Sequence, residues 1–333
     1  MGFRDGGWVL LVAAIACLAL LAWAVLGVLR GHRPKGDGHT VSSYGFDLSN
    51  LDTGGGALVA SGNPRDFLPP LDAPATMPGH EMQRWNETHR TKLVVSTDRV
   101  IGVVVGGKAR AYPLSVMQVH EVANDTLGGV PIAVTFSPLC DAAMAFDRRT
   151  GGTERRFSVS GLLLDDNLVM HDGGESPSLW SQMGARAIAG PAAGCPLEPL
   201  PGVQTCTWKH WLAAHPDTDV ALPAAGDERR IKETSYSRYL LSPRLEFPAA
   251  RWQDDGMAAK TPVIVLRHGD QTREITLADA ARGMPPFELG GAVVEADAVA
   301  EPASVLFRTR DGSPLFTLPC LHFARVCFLP PLR

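Results

Sequence analysis

Residues 131–182 hold the most informative stretch of the chain. They read PIAVTFSPLCDAAMAFDRRTGG from position 131 and RFSVSGLLLDDNLVMHDGGESPSLWSQ from position 156. Short apolar and β-branched segments alternate with Ser-Pro, Asp-Asp and Gly-Gly pairs, which is typical of strands joined by tight turns. We predict strands over 130–136, 142–147, 156–164, 167–171 and 185–189.

The same pattern of short apolar segments and turn residues continues on both sides of this stretch. VIGVVVGGKARAYPL (100–114) predicts a hairpin turning at Gly106-Gly107, and VIVLRHGDQTREITL (263–277) predicts one turning at residues 269–270. Residues 115–125 and 207–218 favour short helices. The chain has 34 Gly and 26 Pro. We therefore predict a β-dominated α+β fold of mixed or antiparallel sheets, sandwich or barrel-like, with a few short helices.

Composition excludes some classes of function. The chain has 333 residues, and its net charge of −4 offers no basic surface for nucleic acid. The glycines at 151–152 and 173–174 lack the strand-Gly-x-Gly-x-x-Gly-helix context, so no nucleotide site is predicted. Ser160-Gly161 is not part of a Gly-x-Ser-x-Gly elbow, which argues against a serine hydrolase.

The N-terminus predicts a membrane anchor. Residues 6–29 carry no charge and 8–29 are almost wholly apolar, long enough for a helix that crosses a bilayer. Cleavage after Ala24 and lipidation at Cys17 are the alternatives, but apolar residues continue past both sites. We divide the chain into an anchor or signal sequence at 1–30, a Gly- and Pro-rich linker at 31–80 and a β-rich extracytoplasmic domain at 81–333.

The cysteines bear on location. Cys195 with Cys206 and Cys320 with Cys327 are short-range pairs that suit local disulfides, with buried thiols as the alternative. Basic residues after the span outnumber those before it, which alone favours a cytoplasmic domain. We give the disulfides more weight and predict an inner-membrane protein with its main domain in the periplasm.

Several ordered motifs resemble a known family. HEVANDTLGGVPIAVTFSPLC (120–140), FSVSGLLLDDNLVMHD (157–172), SLWSQ (178–182) and HFARVCFLP (322–330) resemble the bacterial family called domain of unknown function 3179. The likeness covers about residues 60–330. It implies a secreted or membrane-anchored bacterial protein and brings no agreed activity with it.

The chain departs from the pattern of this family at several positions. The family usually shows Cys-Pro-Leu-Cys-Gly, whereas Ser137 and Asp141 stand here in place of the first Cys and the Gly. The family's Asn-Ser is Asp165-Asp166, and its Tyr is His171. Two cysteines could form a redox disulfide or hold a metal, which one thiol cannot do. We interpret the chain as a divergent member.

Three residues are candidates for chemistry. Cys140 suits a thiolate nucleophile or metal ligand, and His120 suits a general base or ligand. With Met170 they would form a soft set of ligands for copper. The alternative is that all three are buried structural residues. Neighbours on a helix do not face each other, so Glu121 does not pair with His120. Possible residues of a pocket are Glu121, Asp147, Trp180 and Gln182.

Two hypotheses remain from the sequence. The first is a non-catalytic binding or scaffold protein, which the altered family positions favour. The second is a redox or copper-dependent enzyme that uses Cys140 and His120. We favour the first.

Overall fold

The computed structural model describes Val9 and residues 12–19, 35–88 and 92–329. The chain forms two compact units, Met1–Lys35 and Gly36–Arg333. In the first unit, Val9 and residues 12–19 are helical. Within the described residues no helix has the length and apolar character needed to span a membrane. The span predicted over 8–29 lies largely outside these residues and stays a prediction.

The second unit is dominated by strands in six sheets. Two five-stranded sheets have the orders β1(Leu58–Ala60), β11(Ser158–Leu164), β12(Asn167–His171), β13(Leu179–Ser181), β14(Arg186–Ala189) and β15(Val203–Thr207), β4(Arg99–Val105), β5(Lys108–Pro113), β16(Asp219–Ala221), β3(Thr76–Pro78). A four-stranded sheet has the order β2(Leu71–Asp72), β6(Val122–Leu127), β7(Val130–Ser137), β8(Ala142–Asp147). Neighbouring strands are antiparallel except β2 with β6 and β5 with β16, so the sheets are both mixed and antiparallel, as predicted.

The remaining elements are small. Two three-stranded sheets are β18(Gln271–Thr276), β17(Pro262–His268), β22(Phe316–Leu321) and β19(Phe287–Leu289), β20(Ala292–Val299), β21(Ser304–Thr309), and β10(Thr153–Glu154) pairs with β9(Arg149–Thr150). The helices are α1(Gly79–Thr88), α2(Leu114–Met117), α3(Trp208–Ala214), α4(Glu228–Glu233), α5(Ser237–Leu241), α6(Leu277–Ala281) and α7(His322–Phe328), and a 3-10 helix covers Val41–Tyr44. The predicted class, β-dominated with a few short helices, is confirmed.

The predicted strands and both hairpins are present, but the helix predicted over 115–125 is wrong. Only α2 is helical there, and Glu121 leaves the helix with a φ of 59°. Its N–H donates to the Met117 carbonyl, as in a left-handed helix end. The chain then enters β6, because residues 122–127 pair with β7. Cross-strand pairing therefore overrides the local helical pattern.

Residues 36–80, for which the sequence predicts a linker, lie in the same compact unit as the rest of the domain. Tyr44 is fully buried and donates to the Asn63 carbonyl. β1, β2 and β3 each join one of the larger sheets. These strands have two or three residues each, too few for a pattern of alternation to show in the sequence.

Neither predicted disulfide is formed, because all five cysteines of the second unit are free. Cys206 packs in the apolar core beside Trp208 and Trp211, whereas Cys195 packs at the edge of a different core. Cys320 and Cys327 are buried as thiols in that second core. The thiols fill apolar space there, as free cysteines commonly do.

Candidate functional site

Cys140 is fully buried in the turn between β7 and β8. Its Sγ lies 3.4 Å from the Asp166 carbonyl oxygen and donates to it. Burial, and next the charge of Asp166, raise the pKa of the Cys140 thiol well above its usual value. A thiol is a nucleophile or a metal ligand only as the thiolate. Cys140 is therefore held in its unreactive form.

Both ring nitrogens of His120 are engaged. Nδ1 lies 2.7 Å from the Pro69 carbonyl oxygen, and Nε2 lies 2.7 Å from a carboxyl oxygen of Asp227. Asp227 also accepts from the Ala224 N–H and pairs with Arg230. His120 thus ties the start of α4 to the loop before β2, and no ring nitrogen is left for a metal.

Met170 lies in β12, fully buried in the same core as Cys140. Within residues 35–88 and 92–329, no group of three or more His, Cys, Asp or Glu side chains is arranged to hold a metal ion. Of the copper ligands proposed from the sequence, Cys140 and Met170 therefore lie in a buried apolar core, and both ring nitrogens of His120 are engaged.

Three of the four residues predicted for a pocket make contacts that stabilise the fold. Asp147 forms an ion pair of 2.5 Å with Arg149 at the end of β8. Trp180 is fully buried, with the Phe157 ring packed edge-on against it. Gln182 is fully buried as well.

Gln182 forms hydrogen bonds with the polar groups around it. Its carbonyl accepts from Asn167 at 2.8 Å, and its amide donates to the Thr135 hydroxyl at 3.0 Å and the Ala142 carbonyl at 3.1 Å. Asn167 in turn accepts from the Met183 N–H. The side-chain amides of Gln182 and Asn167 are therefore paired, as most buried polar groups are, whereas Nε1 of Trp180 in the same core has no partner among the described residues.

Glu121 differs from all of these. Its side chain is only 8 % exposed, and its carboxyl makes no hydrogen bond or ion pair among the described residues. Burial alone raises its pKa to about 8. The backbone is left-handed at this residue, a conformation that Glu adopts rarely. The left-handed backbone is accounted for by the end of α2, whereas the carboxyl with a raised pKa and no partner is a feature typical of functional sites.

Glu121 lines a cavity of about 310 Å³. The apolar part of the wall consists of Phe67, Leu139, Val159, Leu162, Leu163, Leu168 and Phe247. The polar part consists of Ser61, Asn63, Glu121, Tyr236, Tyr239 and Glu246. The cavity thus has a mainly apolar wall, with Glu121 buried in it and the exposed Glu246 beside solvent.

Gly161 completes the wall where β11 loses its regular register against β12. Its φ is 79°, and a Cβ there would come within 2.6 Å of the Tyr44 ring. Only glycine fits this position, so the N-terminal segment packs directly on the strand behind the cavity.

Tyr239 joins the cavity to the Cys140 turn. Its hydroxyl lies 2.9 Å from the Leu139 carbonyl oxygen and 3.1 Å from a carboxyl oxygen of Asp166. Lys260 donates to the Tyr239 carbonyl, and its Nζ lies 3.2 Å from the centre of the Tyr239 ring. Burial raises the pKa of Asp166 to about 6. Tyr239 is thereby fixed as part of the cavity wall.

The altered Asp-Asp pair forms the turn between β11 and β12. Asp165 and Asp166 have φ values of 46° and 66°, the pattern of a two-residue hairpin turn that favours Asn, Asp and Gly. Asp165 is fully buried, accepts from the N–H groups of Ala57 and Ala250, and pairs with Arg251. One carboxylate thus holds two distant segments against the hairpin.

Asp141 stands at a position where the backbone suits glycine, with a φ of 46°. Arg99 donates two hydrogen bonds to its carboxylate, at 3.1 and 2.9 Å. The bidentate pair accounts for an acidic residue at this left-handed position.

The fold and site define a β-dominated domain with an acidic, mostly apolar cavity. The chain matches the family described as "Protein of unknown function (DUF3179)" over residues 65–315, and it belongs to this family. No curated protein and no solved structure matches the chain. The matched range includes every residue that lines the cavity except Ser61 and Asn63.

The sequence did not identify Tyr236, Tyr239 and Glu246 as site residues. They lie in a loosely structured segment around α5, where no periodicity marks a buried face. The spacing of two tyrosines three residues apart was the available signal, because such residues lie on one side of a helical turn.

Proposed function

We propose that this protein binds a small molecule in the cavity beside Glu121. The observation that carries the proposal is the buried carboxyl of Glu121, which faces the cavity without a partner. The carboxyl oxygens of Glu121 are not among the fully enclosed atoms that lack a partner, so they are accessible from the cavity and can hydrogen-bond to a molecule that enters it. A bound ligand would supply the missing partner.

The dimensions support a ligand of modest size. The volume of about 310 Å³ is at the lower end of the range of roughly 300–1,000 Å³ for small-molecule sites. Such sites combine apolar walls with few polar groups, as this cavity does.

The alternative is a redox or copper-dependent enzyme that uses Cys140 and His120. It receives less support, because the thiol is buried and protonated and both nitrogens of the imidazole are engaged. The binding role therefore has the better physical basis.

The proposal places this binding domain in the periplasm, attached to the inner membrane by residues 8–29. Its support is the uncharged stretch at 6–29 and the usual setting of the family. The free cysteines do not support a periplasmic location. An alkaline phosphatase fusion at the C-terminus should be active and a fluorescent protein fusion dark, and the reverse result would refute the location.

Binding is tested by screening the full chain against a library of small amphiphiles, followed by NMR. We expect some members to shift resonances of residues that line the cavity. Leu139→Trp should abolish these shifts by filling the space, whereas Leu200→Trp, a partly buried control outside the cavity, should preserve them. If no member binds, or if Leu139→Trp binds as well as wild type, the proposal is wrong.

A further inference from the structure

We infer that the ligand is an organic cation, in which an ammonium group is carried on a small apolar body. The inference rests on the proposed binding function and names the class of ligand for the same site. Its basis is the charge and the aromatic content of the cavity wall.

The charged residues of the wall are all acidic. Glu121 lies inside and Glu246 lies on the exposed side, and no Lys, Arg or His is among the residues that line the cavity. Once Glu121 is ionised, an anionic ligand would meet two carboxylates and no compensating positive charge in the wall. A cation would instead pair with Glu121, which is close enough to Tyr236 to affect the acidity of its hydroxyl.

Four aromatic side chains line the same cavity. They are Phe67, Tyr236, Tyr239 and Phe247. The faces of aromatic rings attract cations, and cages of such rings recognise quaternary ammonium groups. Lys260 already uses this attraction on the Tyr239 ring, with Nζ 3.2 Å from its centre. The three other rings have no cation over them among the described residues.

Protonation of Glu121 makes the prediction quantitative. Since burial raises its pKa to about 8, the carboxyl of the empty cavity is mostly neutral at pH 7. A cation selects the ionised form, so its affinity should rise about fiftyfold from pH 6 to pH 8 and then level off. The neighbouring titratable groups are Glu246 and the two tyrosines of the wall, with Asp166 and Lys260 behind Tyr239.

Three probes of similar shape test the charge. Choline is permanently cationic, 3,3-dimethylbutanol is its neutral carbon isostere, and 3,3-dimethylbutanoate is an anion. Calorimetric titration of the full chain at pH 6 and pH 8 gives their affinities. We expect choline to bind at least about tenfold more tightly than the alcohol at pH 8, and the anion to bind least.

Substitutions then test whether Glu121 is responsible for the preference for choline. Glu121→Gln keeps the shape of the side chain and should remove both the preference for choline and its pH dependence, while the alcohol still binds. Glu288→Gln, an exposed control outside the cavity, should behave as wild type. The wild-type comparison stands even if Glu121→Gln fails to fold.

The outcomes separate the two proposals. If the alcohol or the anion binds as tightly as choline in wild type, the ligand is not a cation, although binding in the cavity stands. If none of the probes binds and the amphiphile screen is also negative, the binding function itself fails. If choline binds but Glu121→Gln retains the preference, the assignment of Glu121 is wrong.

Discussion

The cavity and the core behind the Cys140 turn lie side by side, and residues that are adjacent in the sequence differ in which of the two they face and in whether they have partners. Leu139 lines the cavity, whereas its neighbour Cys140 is buried in the core. His120 is hydrogen-bonded through both nitrogens, whereas its neighbour Glu121 has no partner among the described residues. In each pair of neighbours, one residue is therefore buried in the core or fully hydrogen-bonded, and the other lines the cavity.

This difference shows that residue type alone is a poor guide to function here. Cysteine and histidine have the more versatile chemistry, but burial and hydrogen bonds occupy both. Glutamate has less versatile chemistry than either residue, but the carboxyl of Glu121 has no hydrogen-bond partner among the described residues. The predictions below test this contrast between the occupied core and the open cavity.

The largest expected contrast is in thiol reactivity. Alkylation of Cys140 requires local unfolding, so it should be about a thousandfold or more slower than alkylation of the partly exposed Cys195. Mass spectrometry of the folded chain treated with iodoacetamide measures both rates. Similar rates at the two sites would show that the Cys140 region is open.

The next effect is on stability. The pKa of Glu121 is about 8 in the folded protein against an ordinary value of 4.5, so the folded state keeps this proton longer than the unfolded chain. Its contribution to the free energy of unfolding is complete below pH 4.5 and is lost as pH rises through 8, by about 5 kcal/mol. Glu121→Gln should lack this loss.

Urea denaturation of wild type and variant at pH 5 and pH 9 checks the sign. The variant should gain stability relative to wild type at the higher pH. An equal difference between the two proteins at both values would mean that Glu121 is not buried as an unpaired acid.

The sequence revealed nine of the 22 strands in the described residues, because these carry the local signals of apolar runs and glycine or aspartate turns. Glu121, which the sequence suggested as a possible residue of a pocket, lines the cavity. It could not reveal the partners of His120, since Pro69 and Asp227 are 51 and 107 positions away along the chain. The aromatic residues of the cavity wall were missed for the same reason, because folding alone brings their irregular segment against β11 and β12.

A smaller effect tests the paired core. Gln182→Leu removes the partners of Asn167 and Thr135 and should lower the free energy of unfolding by about 2 kcal/mol. The exposed Gln83 offers a matched control, because Gln83→Leu should change stability by less than about 0.5 kcal/mol. Equal effects of the two substitutions would argue against a paired network.

The smallest effect concerns the cavity wall. Tyr239→Phe removes the hydrogen bonds to Leu139 and Asp166 and should cost about 1 kcal/mol in denaturant unfolding. Tyr236→Phe is the control, because the Tyr236 hydroxyl makes no hydrogen bond within the described part of the chain and its loss should be nearly neutral. A larger loss of stability in Tyr236→Phe than in Tyr239→Phe would contradict this assignment of the hydrogen bonds.

The most direct measurement is an NMR titration of the Glu121 side-chain carboxyl, assigned by comparison with Glu121→Gln. We predict a pKa of about 8 in the ligand-free protein and a clear downward shift when choline is added. A pKa near the ordinary value of 4.5, unchanged by choline, would contradict an unpaired carboxyl in a cavity that binds cations.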